Sequence, residues 1–208
     1  MMLKDKVAVI YGAGGAIGGA VARAFASEGA KLFLTGRHLA PVAAIARDVV
    51  SAGGSAEAAE VDALDEQAVE KHLQSVTDKA GRVDISFNAI GIPNPKRRVP
   101  LVELDVEQFS LPIATHTTSY FLTARLAARR MVANRSGVIM TVTSTPSRTG
   151  THWWEAAVRR WPPWRHSLEV CPPSSHLRAF AWSVCDRRAC RRQPRSRKPS
   201  SLAPRHWE

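Results

Sequence analysis

Glycine is missing from the last 58 residues of this 208-residue chain, and lysine is nearly so: after Lys96 only Lys198 remains. Tyrosine occurs twice, at Tyr11 and Tyr120. Cysteine occurs three times, at Cys171, Cys185 and Cys190. That odd number, without metal-ligand spacing, argues against a disulfide framework and against a bound metal. Apolar runs long enough to span a bilayer are absent. Ala22-Arg23-Ala24-Phe25-Ala26 imitates a signal-peptidase site, but Asp5 occupies the would-be basic region. Glycines and Arg23 interrupt the would-be apolar core, so a cytoplasmic protein is expected.

What is present divides at residue 150. Hydrophobic residues make up 45% and charged residues 23%, which suits a globular chain. The formal net charge of +11 is uneven, about +3 over residues 1–150 and about +8 over 151–208. All 13 glycines precede residue 151, whereas all six tryptophans and all three cysteines follow it. Two unrelated kinds of sequence are joined there. Residues 151–208 also hold seven prolines and no sustained apolar period. They are expected to form an irregular, disordered tail.

The first part alternates strand and helix signals. Residues 6–11 are a continuous apolar run, as in a buried parallel strand. Residues 17–28 place Ile17, Ala20, Val21, Ala24 and Phe25 at helical spacing, and Gly29 ends them. Strands are expected over 31–35, 56–61, 83–88 and 138–143, and helices over 41–52, 65–80 and 105–133. A loop rich in proline and basic residues covers 93–100. Such alternation implies right-handed crossovers and a parallel sheet with helices on both faces. The expected fold class is therefore α/β, a Rossmann-like doubly wound sheet, incomplete at about five strands.

Between the first strand and first helix lies Gly12-Ala13-Gly14-Gly15-Ala16-Ile17-Gly18. A chain that turns sharply there and brings its backbone close to a pyrophosphate needs residues without a Cβ. The helix N-terminus then offers free N–H groups and a positive dipole end to phosphates. At the end of the second strand, Gly36 leaves room and Arg37 supplies a guanidinium. An acidic residue there would bind the ribose 2′-OH of NAD, whereas an arginine accommodates the 2′-phosphate of NADP. NADP is expected over NAD.

These segments, in this order, resemble the short-chain dehydrogenase/reductase family over residues 4–150. Asp62, with Ala63 after it, resembles the family's acidic position beside the adenine. Asn88-Ala89 resembles the Asn-Asn step after the fourth strand, with Ala89 in place of the second Asn. Val142-Thr143-Ser144 resembles the segment that ends in the catalytic serine. The resemblance implies a nicotinamide cofactor held by Gly12, Gly14, Gly15, Ala16, Ile17, Gly18, Arg37, Asp62, Ala63, Asn88 and Ala89. It implies a small carbonyl or alcohol substrate and, for an intact parent, a homo-oligomer.

The family's chemistry uses Tyr, Lys, Ser and Asn. Ser144 matches the serine, and His116 stands at the Asn position. The Tyr is due about a dozen residues past Ser144, with the Lys four later, yet neither exists in this chain. A phenol with an ordinary pKa near 10 needs a cation beside it to work at neutral pH, so the pair acts as a unit.

The tail has the composition of GC-rich coding DNA read out of frame. Joining each third base to the next two turns the run from His152 into Leu-Val-Gly-Gly in GC-rich codons, the first three positions being forced by the genetic code. Further on, permissive codons give a helix, a Gly-Ile-Arg-Val-Val strand and a Pro-Gly loop that resemble the family's continuation. A frameshift near Gly150 is therefore expected. No Tyr or Lys codon falls at the catalytic positions of the restored frame. Three readings follow: an oxidoreductase-family chain with an NADP-type site, a non-catalytic nucleotide-binding protein, and a nucleic-acid binder acting through the basic run at 187–198. The third ranks last, because the run lacks the aromatic and basic pattern of a binding module.

Overall fold

The computed structural model describes residues 1–91, 101–144 and 177–183, with the backbone alone at 101, 143, 144 and 177–183. The element order is β1 (Val7–Tyr11), α1 (Ala16–Ser27), β2 (Lys31–Gly36), α2 (Leu39–Ser51), β3 (Ser55–Glu60), α3 (Glu66–Ala80) and β4 (Ile85–Asn88). A short 3-10 turn (Leu101–Glu103) leads into α4 (Val106–Ala133), β5 (Val138–Ser144) and β6 (Leu177–Ser183). The basic loop at 93–100 lies outside the described residues.

The sheet order is β3-β2-β1-β4-β5-β6. Its first five strands are parallel. The chain runs outward from β1 to β3, then returns to β4 on the other side of β1. That reversal opens a crevice beyond the carboxyl ends of β1 and β4, where open α/β sheets bind ligands.

Two apolar layers hold the sheet. Val9, Tyr11, Phe33 and Ile139 face α3 and α4 through Val69, Leu73, Val76, Leu126 and Met131. Ile10, Leu32, Leu34 and Phe87 face α1 and α2 through Ala22, Val42, Ala46 and Val49. Each large side chain fully buried in these layers stabilises the fold by about 1.5–3 kcal/mol. Beneath them Asp84, 4% exposed, accepts Val7 N at 2.9 Å and pairs with Arg82 and Lys6. It ties the start of β1 to the start of β4.

Helix ends follow local chemistry. Asp65 caps α3 by accepting from Gln67 N and Ala68 N, and Gly81 closes it with φ 74°. Asp105 caps α4 through Gln108 N at 2.6 Å. Pro112 is accommodated inside α4, nearly two turns past its start at Val106.

Two findings correct the sequence expectations. Of the α1 stripe expected at Ile17, Ala20, Val21, Ala24 and Phe25, Val21 and Phe25 pack partly buried against the core, whereas Ile17 is 37% exposed and the fully buried positions are Gly18, Gly19 and Ala22. The first turn of the helix sits so close to the glycine loop and α2 that a Cβ on Gly18 would lie 2.3 Å from Gly12 O and one on Gly19 3.0 Å from Ile45 Cδ1. β4 is buried throughout, and β5 is half-buried at Val138, Met140 and Val142. One element goes beyond the five expected strands. β6 pairs antiparallel with β5, Val138 opposite Ser183 and Ser144 opposite Leu177. It covers the hydrogen-bonding edge that β5 would otherwise present. Residues 145–176 and 184–208 lie outside the described residues, as does most of the tail expected to be disordered.

Candidate nucleotide-binding site

The glycine loop is held at both ends by backbone. Gly12 N and Ala13 N both donate to Thr35 O at 2.9 Å, and Gly15 N donates to Gly12 O at 3.1 Å. Gly12 has φ 76°, a conformation that favours glycine. A Cβ on Gly12 would lie 2.8 Å from Ala89 O, and one on Gly18 would lie 2.3 Å from Gly12 O. A Cβ on Gly14 would press on Pro41 of α2 at 3.0 Å. The loop therefore packs against itself, the turn after β4 and the first turn of α2. Gly15, at the N-cap of α1, makes no side-chain cap. The first-turn N–H groups of α1 are left for an anion at the positive end of the helix.

Asn88 is 1% exposed and works inward. Its Nδ2 donates to Thr123 Oγ1 at 3.1 Å, and its Oδ1 accepts Ile90 N at 3.0 Å. Ala89 N donates to Tyr11 O at 2.9 Å. Asn88 thus fixes the turn whose backbone abuts Gly12, and α4 in turn fixes Asn88. Thr123, the partner on α4, was not among the residues singled out from sequence. Its one signal was a hydroxyl on a helix face otherwise lined by Leu122, Leu126 and Ala127.

The side of the crevice expected from sequence to meet the adenosine is built from β2 and β3. Gly36 is half-buried, and a Cβ there would lie 2.8 Å from Val42 Cγ2. Arg37 and His38 are exposed. Asp62 Oδ1 accepts Leu64 N at 3.0 Å and Asp62 O accepts Asp65 N at 3.1 Å, which shapes the turn that buries Ala63. Glu60, missed from sequence, reaches across to α2, where its Oε2 accepts Leu39 N at 3.1 Å.

His116 lies half-buried on α4, its ring 5.6 Å from that of Tyr120 at an interplanar angle of 44°. Burial lowers its pKa and so favours the neutral imidazole, and its Nδ1 has no partner among the described residues. The Tyr120 hydroxyl donates to Val142 O at 2.7 Å, two residues before Ser144. Burial pushes that phenol up to about 12, so Tyr120 holds α4 to β5 and is not an acid for chemistry at neutral pH. Ser144 closes β5. Tyr11 is fully buried in the core, and its pKa is raised by burial. Neither tyrosine replaces the missing one. Among the described residues no group of three or more His, Cys, Asp or Glu could hold a metal ion.

A parallel sheet with this strand order, a glycine cradle at its switch point and an arginine at the end of β2 defines a dinucleotide-binding domain. The family model for short chain dehydrogenases matches residues 6–156, and the chain belongs to that family. It is 32% identical over 146 residues to a 3-oxoacyl-[acyl-carrier-protein] reductase of Bos taurus, covering 70% of this chain and 59% of that protein. An uncharacterized oxidoreductase of Thermotoga maritima is 27% identical over 187 residues, covering 88% of this chain and 71% of its own length. A metagenomic short-chain oxidoreductase solved in complex with NADP superposes with a TM-score of 0.68 at 28% identity, covering 77% of this chain and 72% of that one. The chain spans 50–59% of the length of the first curated relatives it matches.

Proposed function

We propose that this chain binds a nicotinamide dinucleotide, NADP(H) in preference to NAD(H), and does not complete the family's carbonyl–alcohol chemistry. The observation that carries the binding is the glycine cradle, where a Cβ on Gly12 or Gly18 has no space. The bound cofactor would supply hydride exchange. The chain's own part is to seat the phosphates on the first turn of α1 and hold the loop through Thr35 O and the Asn88 turn. Arg37 would meet the 2′-phosphate beside Gly36. The solved relative with NADP supports this choice.

The chemical step lacks its proton donor. No tyrosine and no lysine stand downstream of Ser144 at the family spacing. His116 and Ser144 alone leave the substrate oxygen without a phenol activated by a cation. Calorimetric titration with NADP and NAD, beside a turnover assay on small carbonyl and alcohol substrates, tests both halves. NADP binding without turnover is the expected result, and tighter binding of NAD would overturn the preference. Gly18→Ala, which drives a methyl into Gly12 O, is expected to abolish binding of both.

The tail is proposed to be an out-of-frame continuation of the family sequence. Its composition and the end of the family match at residue 156 support this. The Thermotoga alignment reaches further and makes the test necessary. The DNA across the codon for Gly150 decides: a family-like frame must lie downstream, and its absence ends the proposal. A cytoplasmic location belongs to the same proposal and rests on the composition argument.

A further inference from the structure

We infer that Glu60 is a specificity-determining residue that opposes the 2′-phosphate, so that the site discriminates between the two cofactors less than Arg37 alone would make it. The inference rests on the proposed cofactor site. The end of β2 carries no acid: Gly36, Arg37 and His38 occupy it. The carboxylate comes instead from the neighbouring strand. Glu60 is the register partner of Gly36, and Val61 N donates to Gly36 O at 2.9 Å, so the end of β3 is locked beside the end of β2. The Glu60 side chain lies on the α2 side of the sheet, with Ala56 and Ala58, and its Oε2 takes Leu39 N.

Leu39 is the first residue of α2, directly after Arg37 and His38. The N-cap His38 makes no side-chain cap, and the first turn of α2 has no acidic residue of its own. Glu60 is therefore an imported cap, and it brings a negative charge to the helix end that a 2′-phosphate beside Arg37 would approach. A phosphate must meet that carboxylate or displace it from Leu39 N, and both raise its free energy. A ribose 2′-OH carries no charge and can donate to the same carboxylate, as acids at this end of the fold do for NAD.

The test is calorimetric titration of the full-length chain and of Glu60→Gln with NADP and with NAD. Removing the charge while keeping the shape and an acceptor for Leu39 N is expected to raise the NADP-to-NAD affinity ratio about tenfold, equivalent to about 1.4 kcal/mol. Glu60→Ala must move the ratio in the same direction. A ratio unchanged in both variants, with a lowered Tm, would show Glu60 to be a cap for α2 only and would overturn the inference. If the parent chain binds neither cofactor, the cofactor reading itself fails, which is a different result from binding with an unmoved ratio.

Discussion

At the scale of single residues, two buried polar groups have measurable consequences. The Tyr11 hydroxyl is fully buried and has no hydrogen-bond partner among the described residues. A buried hydroxyl left unpaired costs about 1–3 kcal/mol. Tyr11→Phe keeps the ring between β1 and the α3–α4 layer and removes that cost. Its Tm is expected to equal or exceed the parent's by a few degrees, and a clear drop would show that the hydroxyl finds a partner in solution. His72 on α3 is the second group. Burial first, then the charge of Lys79, lowers its pKa to about 4, with Glu57 opposing. The unfolded imidazole titrates near 6.5. Because the folded pKa is the lower one, the unfolded state binds more protons between pH 6.5 and about 4. His72 therefore contributes stability that is present above pH 6.5 and lost as the pH falls towards 4. His72→Gln is expected to flatten the fall in Tm between pH 7 and pH 4.5, and parallel curves for both proteins would contradict this.

At the scale of elements, the turn after β4 shows how packing sets the site. Asn88 joins three pieces: its own turn through Ile90 N, α4 through Thr123, and the glycine loop that the Ala89–Ile90 backbone of that turn abuts. Asn88→Ala removes the acceptor of Ile90 N and the donor to Thr123 Oγ1, which still donates to Ser119 O at 2.8 Å, and so frees the turn. A loss of about 1–3 kcal/mol in stability is expected. Cofactor affinity should fall with it, because the wall against Gly12 loosens. Retained affinity in a destabilised variant would separate the two roles. This same region marks the limit of what sequence made legible. Asn88 was recognised by its place after a strand, and the strand and helix spans agree with the structure to within a few residues. The inward role of its side chain was not legible, since Thr123 lies 35 positions away. The face of α1 was legible at Val21 and Phe25 but misjudged at its start, because hydrophobic periodicity assumes that large residues point inward. At a phosphate loop the close approach of the helix to the loop reverses this, burying Gly18 and Gly19 and leaving Ile17 at the surface. Glu60 was passed over for the same reason of distance: its meaning depends on Leu39, 21 positions away. The β6 pairing was not legible either, because residues 177–183 sit in sequence without family grammar.

At the scale of the whole molecule, the proposed function separates binding from catalysis. The nucleotide-binding half is tied together along its length: Asp84 at the base joins β1 to β4, Asn88 at the top joins β4 to α4, and the Arg130–Glu70 pair joins α4 to α3. A ligand that binds only the folded form of such a unit stabilises all of it by mass action. At a free concentration of one hundred times its Kd, that amounts to about 2.7 kcal/mol. For a chain of this size each kilocalorie moves the Tm by about 2–4 °C. Saturating NADP is therefore expected to raise the melting temperature by roughly 5–10 °C, and NAD at equal concentration by less. Turnover needs more than a stable cradle, because a proton must reach the substrate oxygen and no Tyr–Lys pair stands past Ser144 to deliver it. The expected signature is a large shift in Tm with no cofactor-dependent rate above background. A measurable rate of alcohol oxidation would mean that His116, whose neutral form burial favours, accepts the alcohol proton in place of the missing phenol. His116→Ala must then abolish the rate while leaving the Tm shift intact.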